Sequence, residues 1–218
     1  MAPFDDLVRW LKIRPGISAV DLGCGTGELT LRLRELLPDS TVLGIDSSPT
    51  MLPQAEGFQL GRIQDLTGEY DLIFSHAALQ WVDDQPTLFR TLWSHLKPGG
   101  QLLVQIPYNF DHASHLAAAS VARQLGQPVR SLQVLTPEAY AALLYELGAQ
   151  DFQVIMKVYP HVLENADAIV EWTKGTLLTA FTVTDEFLEN YTAEVRHHCP
   201  GSPVFYGFKR LLMTATRP

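Results

Sequence analysis

Apolar residues along this chain follow two alternating patterns. Short continuous apolar runs are typical of buried β-strands. They lie at 17–22, 41–46, 71–75 and 101–106, with a weaker run at 58–63. Apolar residues at helical spacing separate them and predict helices. These helices cover 4–13, 28–37, 49–55 and 86–96. Because strands and helices alternate, the pattern favours right-handed βαβ units and a mostly parallel α/β sheet.

The pattern changes after Pro107. A polar, aromatic loop covers 108–115, and further elements follow it. Helices are predicted at 116–125, 137–147, 166–173 and 184–197, and strands at 153–158 and 205–214. We interpret 1–218 as a single domain, with insertions at about 108–135 and 160–200 that cap the sheet and specify the substrate.

Composition narrows the class of protein. The 218 residues suit one domain with a sizeable core. A net charge of −8 argues against nucleic acid as the main partner, although a small anionic substrate needs only a few local cations. No signal peptide or membrane-spanning run is recognisable. The two cysteines fit a reducing cytosol, so a cytoplasmic location is expected.

The first strand leads into a glycine-rich turn, Asp21-Leu-Gly23-Cys-Gly25-Thr-Gly27, and then into a helix. Glycine allows a sharp bend or the close approach of a ligand, and a helix start offers unpaired N–H groups. A dinucleotide site remains an alternative, but its third glycine would fall at Glu28, where an acid would repel a pyrophosphate. Asp21 and Glu28 instead suit a cofactor with a cationic ammonium and sulfonium. A glycine turn without a ligand is the simplest alternative.

Polar residues also follow the second and fourth strands. Asp46 can accept hydrogen bonds from a ribose diol, or can cap the turn that starts at Ser47. Met51 could line an adenine ring or pack in the core. His76 should face the reacting centre, because ligands of open α/β sheets bind beyond the carboxyl ends of the strands. It is either a base or a packing histidine.

Several stretches together resemble the trans-aconitate methyltransferases, a group of class I S-adenosylmethionine (SAM) methyltransferases. They are the glycine turn, Gly44-Ile-Asp-Ser-Ser-Pro49, Tyr70 to Trp81, Leu96-Lys-Pro-Gly-Gly100, Val104-Gln-Ile-Pro107 with Asn109, Ser114-His115, Ile169-Val-Glu-Trp172 and Arg210-Leu. The first four stretches occur in many small-molecule methyltransferases, including malonyl-carrier-protein methyltransferases.

The resemblance implies a Rossmann-like class I methyltransferase fold, with a seven-stranded sheet whose last strand is antiparallel, helices on both faces and a helical cap. The implied reaction is methylation of a carboxylate on a small organic acid, with SAM as the cofactor. The implied cofactor residues are Asp21, Gly23 and Gly25 for the methionine part, Asp46 for the ribose, Ile63 for the adenine, and Ser75 and His76 near the sulfonium. Ser47, Met51 and Arg62 are further candidate cofactor-binding residues.

The chain departs from the family pattern at three places. The family usually has an aromatic-rich segment before the first helix, which helps to close the cofactor site, whereas this sequence starts almost at that helix. Arg62 aligns with an acid that receives the adenine amino group, for which Asp65 is a possible substitute. Thr179 stands where the family tends to have an arginine, and Lys174 is its possible replacement.

A carboxylate is ionised at pH 7, so its methylation needs alignment and exclusion of water, with no general base. We assign His76, Asn109 and Lys174 as the candidate catalytic and substrate-contacting residues. Further candidates for an acidic substrate are Arg123, Arg130, His112, His115 and Arg210. The spacing of His112 and His115 is weak evidence for a metal, and none is predicted. The alternatives are a methyltransferase for another small molecule or a carrier-bound acyl group, and a SAM-binding protein without catalysis.

Overall fold

The computed structural model describes residues 2–129, 133–175 and 177–218, without the side chains of Leu177 and Thr179. The strands are β1 (Ser18–Leu22), β2 (Thr41–Asp46), β3 (Phe58–Leu60), β4 (Tyr70–His76), β5 (Leu96–Pro107), β6 (Gln150–Leu163) and β7 (Val204–Thr216). The α-helices are α1 (Ala2–Val8), α2 (Glu28–Leu36), α3 (Gln85–Ser94), α4 (Ala113–Gln124), α5 (Pro137–Glu146), α6 (Ala166–Lys174) and α7 (Asp185–His198). None of the helices in these ranges is long and apolar enough to cross a bilayer.

The strands form one seven-stranded sheet in the order β3-β2-β1-β4-β5-β7-β6. Neighbours from β3 to β5 are parallel, and β7 runs antiparallel to β5. The predicted mostly parallel sheet with an antiparallel last strand is therefore confirmed. Chain order reverses between β1 and β4, which is where open α/β sheets bind their ligands.

The central strands are buried on both faces. Ala19 and Val20 on β1, and Leu72 and Ile73 on β4, are all at most 1% exposed, although successive side chains point to opposite faces. One face is covered by α1 and α2, whose Phe4, Leu7 and Leu33 share a cluster with Ala19 and Leu72. Burial on both faces explains why these strands are continuous apolar runs in the sequence.

The chain divides into two compact units. The first comprises Met1–Pro107, Leu132–Lys157 and Arg210–Pro218, and the second comprises Tyr108–Ser131 and Val158–Lys209. The core of the second unit is built from α4, α6 and α7, with alanines of α4 beside aromatic residues such as Phe187 and Tyr191. Inside it, Thr173 Oγ1 and Tyr191 Oη share a hydrogen bond of 2.9 Å. The single-domain organisation inferred from the sequence stays a prediction.

The predicted helix at 49–55 is wrong, because the structure has consecutive turns there. Ser48 O accepts hydrogen bonds from Met51 N and Leu52 N, which amounts to one turn. Pro53 then supplies no N–H and disfavours the helical conformation for the residue before it. The first helix is also shorter than predicted, since α1 ends at Val8.

Replacing Tyr140 with phenylalanine should lower the free energy of unfolding by about 1–2 kcal/mol. Tyr140 Oη donates to Gln85 Oε1 over 2.8 Å in a buried place, and the variant leaves that oxygen without this donor. Tyr145→Phe on the same helix is the matched control, because Tyr145 is 75% exposed. Urea unfolding midpoints measure both, and equal midpoints would contradict a stabilising role for the buried hydroxyl.

Candidate functional site

The carboxyl ends of β1, β2 and β4 bring most of the predicted cofactor residues together in the first unit. Asp21 lies near the end of β1, Asp46 ends β2 and His76 ends β4. Because β1 pairs with both β2 and β4, these three ends are adjacent. The glycine turn follows β1 at the same edge.

Asp21 is a buried acid at the centre of this edge. It is 2% exposed, and its Oδ2 accepts a 2.6 Å hydrogen bond from Thr30 Oγ1 on α2. Burial raises the pKa of Asp21 to about 7; the bond from Thr30 opposes this shift and the charge of Asp46 adds to it. Near neutral pH the site therefore carries a carboxyl group whose ionised form a nearby cation would stabilise.

The glycines of the turn differ in why they are needed. Gly23 has a φ of +75°, and a Cβ there would lie 2.1 Å from the Cβ of Ala78. Gly23 is thus required by packing inside the protein. Gly25 has a φ of +55°, and its Cβ would meet only the flexible end of Met51, at 3.3 Å. The space over Gly25 is therefore suited to the close approach of a ligand.

Asp46 is fixed in orientation by two backbone N–H groups. Its Oδ2 accepts from Gly25 N and its Oδ1 from Ser48 N, each over 2.8 Å. Asp46 therefore caps the turn that starts at Ser47, which is one of the two roles that the sequence predicts for it. Each carboxylate oxygen has a second lone pair, so the same side chain can also accept hydrogen bonds from a diol. Ser47, the next residue, is exposed.

Three more predicted residues lie around the turn. Met51 is 51% exposed, with its Cε over Gly25, so it is a surface residue of the site and does not pack in the core. Ile63 Cδ1 lies 3.7 Å from the position of a Cβ on Gly23. Arg62 is exposed and 4.0 Å from Asp65, so these two residues pair with each other at the surface. Met51 and Ile63 together give the site an apolar side.

Ser75 and His76 differ in what their side chains contact. Ser75 is fully buried and its Oγ donates to Leu22 O over 2.8 Å, which ties β4 to the end of β1. The imidazole of His76 packs near Phe4, and its Nε2 is buried without a hydrogen-bond partner among the residues that the structure describes. Burial, followed by the charge of Arg210, lowers the pKa of His76 to about 4, so the ring is neutral at pH 7.

The candidates Asn109 and Lys174 belong to the second unit. Asn109 is 5% exposed, and its Oδ1 accepts a 2.7 Å hydrogen bond from Lys209 N. Lys174 ends α6 and forms an exposed ion pair with Glu171. His112 and His115 both lie within 3.5 Å of the Ser114 hydroxyl through their Nδ1 atoms.

The remaining candidate cations are distributed between the units. Arg123 is exposed in the last turn of α4, and Arg210 lies on β7 in the first unit. Arg130 and the side chain of Thr179 lie outside the described part of the chain. Within that part, no three histidine, cysteine or acidic residues are grouped to hold a metal ion.

Three polar residues of this edge were missed by sequence reasoning. Thr30 binds Asp21. Gln80 Oε1 and both side-chain polar atoms of Gln105 are buried and have no hydrogen-bond partner in the described part of the chain. For Gln105 a signal existed, because a glutamine interrupts the apolar run from Leu102 to Ile106. An amide at the buried end of a strand is unusual unless a partner satisfies it.

This arrangement fits a cofactor with a nucleoside and a cationic amino-acid part. Asp21 offers a negative charge that a cation would stabilise, Gly25 leaves room for close approach, and Asp46 offers oriented acceptors for a ribose. The residues therefore fit SAM better than a dinucleotide.

A family profile and two related proteins identify the sequence as similar to methyltransferases. A family profile described as "Methyltransferase domain" matches residues 2–154. The chain is 44% identical to a trans-aconitate 2-methyltransferase from Deinococcus radiodurans, over 100% of this chain and 93% of that protein. It is 34% identical to a protein of the same name from Azoarcus sp., over 97% and 92% of the two chains.

Two solved structures share the fold at low sequence identity. The YcgJ protein from Bacillus subtilis superposes with a TM-score of 0.65 at 15% identity, over 99% of this chain and 98% of that one. Phosphoethanolamine N-methyltransferase 2 from Haemonchus contortus, solved with S-adenosyl-L-methionine, gives 0.57 at 18% identity, over 97% and 51%. The predicted class I methyltransferase fold is confirmed by these neighbours.

Proposed function

Because the chain belongs to the trans-aconitate 2-methyltransferase family, we propose that it methylates one carboxylate of trans-aconitate to give a methyl ester. The structural observation that carries the proposal is the buried Asp21 beside the open glycine turn at Gly25. This pair suits a cofactor that bears positive charge. The full-length relationship to enzymes of that name supports the choice of acid.

The protein is a SAM-dependent methyltransferase. In our proposal Asp21 faces the cationic methionine part, the backbone at Gly23 and Gly25 lies against it, and Asp46 with Ser47 binds the ribose. The apolar Met51 and Ile63 would flank the adenine, with Arg62 at its outer edge. Ser75 and His76 would lie towards the sulfonium.

When bound, SAM supplies a methyl group that passes from its sulfonium to a carboxylate oxygen as the carbon–sulfur bond breaks, leaving S-adenosyl-L-homocysteine and a methyl ester. The chain does not need to remove a proton, because a carboxylate is already ionised at pH 7. The low pKa of His76 agrees with this chemistry, since so weak a base could not efficiently deprotonate an alcohol. The protein has then to align the carboxylate oxygen with the methyl group and the sulfur, and to exclude water from the site.

We also propose Asn109 and Lys174 as contacts for the acid. Asn109 lies two residues after the end of β5 and is buried, and the hydrogen bond from Lys209 N orients its amide, whose N–H groups can donate to the acid. Lys174 supplies a cation in the last turn of α6, next to its partner Glu171. Since Cys24 and Cys199 are free thiols, we propose a reducing cytosol as the compartment.

Transfer of labelled methyl from SAM to trans-aconitate tests the proposed reaction. Citrate, isocitrate, cis-aconitate and a malonyl thioester serve as parallel acceptors. We expect label on trans-aconitate in preference to the others, and we expect alkali to release it, since an ester hydrolyses whereas N- or C-methyl groups do not. Calorimetric binding of SAM without transfer to any acid would overturn the substrate and leave a SAM-binding protein; preferred transfer to the thioester would indicate a carrier-bound substrate.

A further inference from the structure

Within the described part of the chain, a few buried polar atoms without hydrogen-bond partners lie at the carboxyl ends of β4 and β5 and in the turn that follows β4. They are His76 Nε2, Gln80 Oε1, and both Nε2 and Oε1 of Gln105. Gln105 is 0% exposed. Buried polar groups are nearly always hydrogen-bonded, because leaving one unpaired costs the free energy of removing it from water. Two of these atoms, Gln105 Nε2 and a protonated His76 Nε2, can donate, so they indicate a ligand that supplies a hydrogen-bond acceptor.

Sheet register puts His76 and Gln105 side by side. The two residues are direct partners in the parallel pairing of β4 with β5, so their side chains lie on the same face of the sheet. Ala77 N also donates to Gln105 O over 3.0 Å, so the residue after His76 is hydrogen-bonded to the backbone of Gln105. The two unpartnered side chains are therefore neighbours.

The backbone beside these side chains is strained. Ala77 has a φ of +57°, in the left-handed region that residues with a Cβ rarely adopt. Such conformations persist where the surrounding structure imposes them, and they concentrate at functional sites. This observation is independent of the missing hydrogen bonds and points to the same place.

A second glutamine on β5 shows that burial alone does not leave an amide unpaired. Gln101 is four residues earlier on the same strand and is 3% exposed. Its Nε2 donates to Trp10 O over 2.7 Å and to Thr214 Oγ1 over 3.1 Å. Its Oε1 accepts from Lys12 N over 3.0 Å. The fold can thus satisfy a buried glutamine on β5 completely, and at Gln105 it does not.

We propose that Gln105 and His76 bind the carboxylate that becomes methylated, with Gln105 Nε2–H as one donor and His76, in the neutral tautomer that carries its proton on Nε2, as the other. This inference rests on the proposed function, since it names the acceptor of that reaction. The site lies at the end of β4, next to β1 and its glycine turn, which is where the acceptor must meet the methyl group.

Neutral donors suit this particular reaction. A carboxylate anion and a sulfonium cation react with loss of both charges, so a cation bound tightly to the attacking oxygen would stabilise the reactants more than the transition state. Donors without net charge position the oxygen and leave its negative charge available. The imidazole of His76 meets this requirement, because burial and, after it, the charge of Arg210 lower its pKa to about 4 and keep the ring neutral at pH 7.

The test compares Gln105→Met with Gln101→Met. Methionine has nearly the length and volume of glutamine but makes no comparable hydrogen bond, so each variant removes only the amide. For both proteins and the wild type, we would measure the thermal unfolding temperature, the calorimetric affinity for SAM, and kcat and KM for trans-aconitate. The first two measurements do not depend on turnover.

Gln105→Met should unfold at the same or a higher temperature than the wild type and bind SAM within about twofold of it. Its kcat/KM for trans-aconitate should fall roughly 10- to 100-fold, as expected when a hydrogen bond to a charged group is lost. Gln101→Met should show the opposite pattern, with a lower unfolding temperature and an unchanged kcat/KM for the folded protein.

Two results would overturn the inference alone: an unchanged kcat/KM in Gln105→Met, or a loss of stability comparable with that of Gln101→Met, which would show that the amide at 105 has partners within the protein. A wild-type protein that transfers no methyl group to trans-aconitate would instead refute the proposed function, and the inference with it. The wild-type measurement therefore separates the two failures.

Discussion

Asp21→Asn should bind SAM roughly 10- to 100-fold more weakly than the wild type, while unfolding at a higher temperature above pH 7. Asparagine keeps the shape of the side chain and an oxygen for the hydrogen bond from Thr30 Oγ1. It removes the charge that, in our proposal, attracts the cationic part of the cofactor. The same buried charge is unfavourable in the protein without ligand, because burial raises the pKa of Asp21 from 3.8 to about 7.

The dependence on pH follows from the direction of this shift. A carboxyl group whose pKa is higher in the folded state binds a proton more tightly there, so its contribution to stability is lost as the pH rises from about 4 to about 7. The two proteins should therefore differ little in stability at pH 4. Above pH 7 the variant should melt higher by roughly 5 °C or more. SAM affinity of the wild type should rise with pH through 7, whereas that of the variant should not.

Thermal unfolding at pH 4.5 and pH 8, with calorimetric titration of SAM at several pH values, measures both effects. Glu69→Gln is the matched control, since it removes one negative charge from an exposed position in the same unit. A variant that binds SAM as tightly as the wild type would refute the role of Asp21. A stability difference that stays constant across pH would show that its pKa is not raised.

Asp46→Ala should weaken binding of SAM by about 100-fold or more. In our proposal the carboxylate accepts two hydrogen bonds from the ribose diol, and each bond to a charged group is worth about 1.5–3 kcal/mol. The substitution also removes the acceptor for Gly25 N and Ser48 N, which fixes the shape of the turn.

Asp46→Asn separates these two roles. It keeps one oxygen for a backbone N–H but lacks the charge and the second acceptor, so its affinity should lie between those of the wild type and Asp46→Ala. Calorimetry gives the affinities, and thermal unfolding confirms that each variant is folded. An unchanged affinity in Asp46→Ala would show that the ribose assignment is wrong.

The strands and the cofactor edge were accessible from the sequence because they depend on local patterns. The apolar runs at 17–22 and 71–75 are continuous since those strands are buried on both faces, and that burial is present in the structure. Asp46 was identified because it ends an apolar run, and strand ends meet at one edge of a parallel sheet. Periodicity was less informative over 49–55, where Pro53 limits the chain to turns.

The sequence by itself determined the family, the parallel sheet, and the positions of Asp21, Gly25 and Asp46 at its carboxyl edge. Only the tertiary structure decided that Gly23 is required by Ala78 and that Asp21 has a raised pKa. It also decided that the side-chain amide of Gln105 has no hydrogen-bond partner among the described residues, while that of Gln101 has three. The physical reason is that close approach, desolvation and hydrogen-bond pairing depend on groups that are distant in the chain. Gln101 is paired because Lys12 and Trp10, 89 and 91 residues away in the chain, reach it, and no spacing in the sequence encodes those contacts.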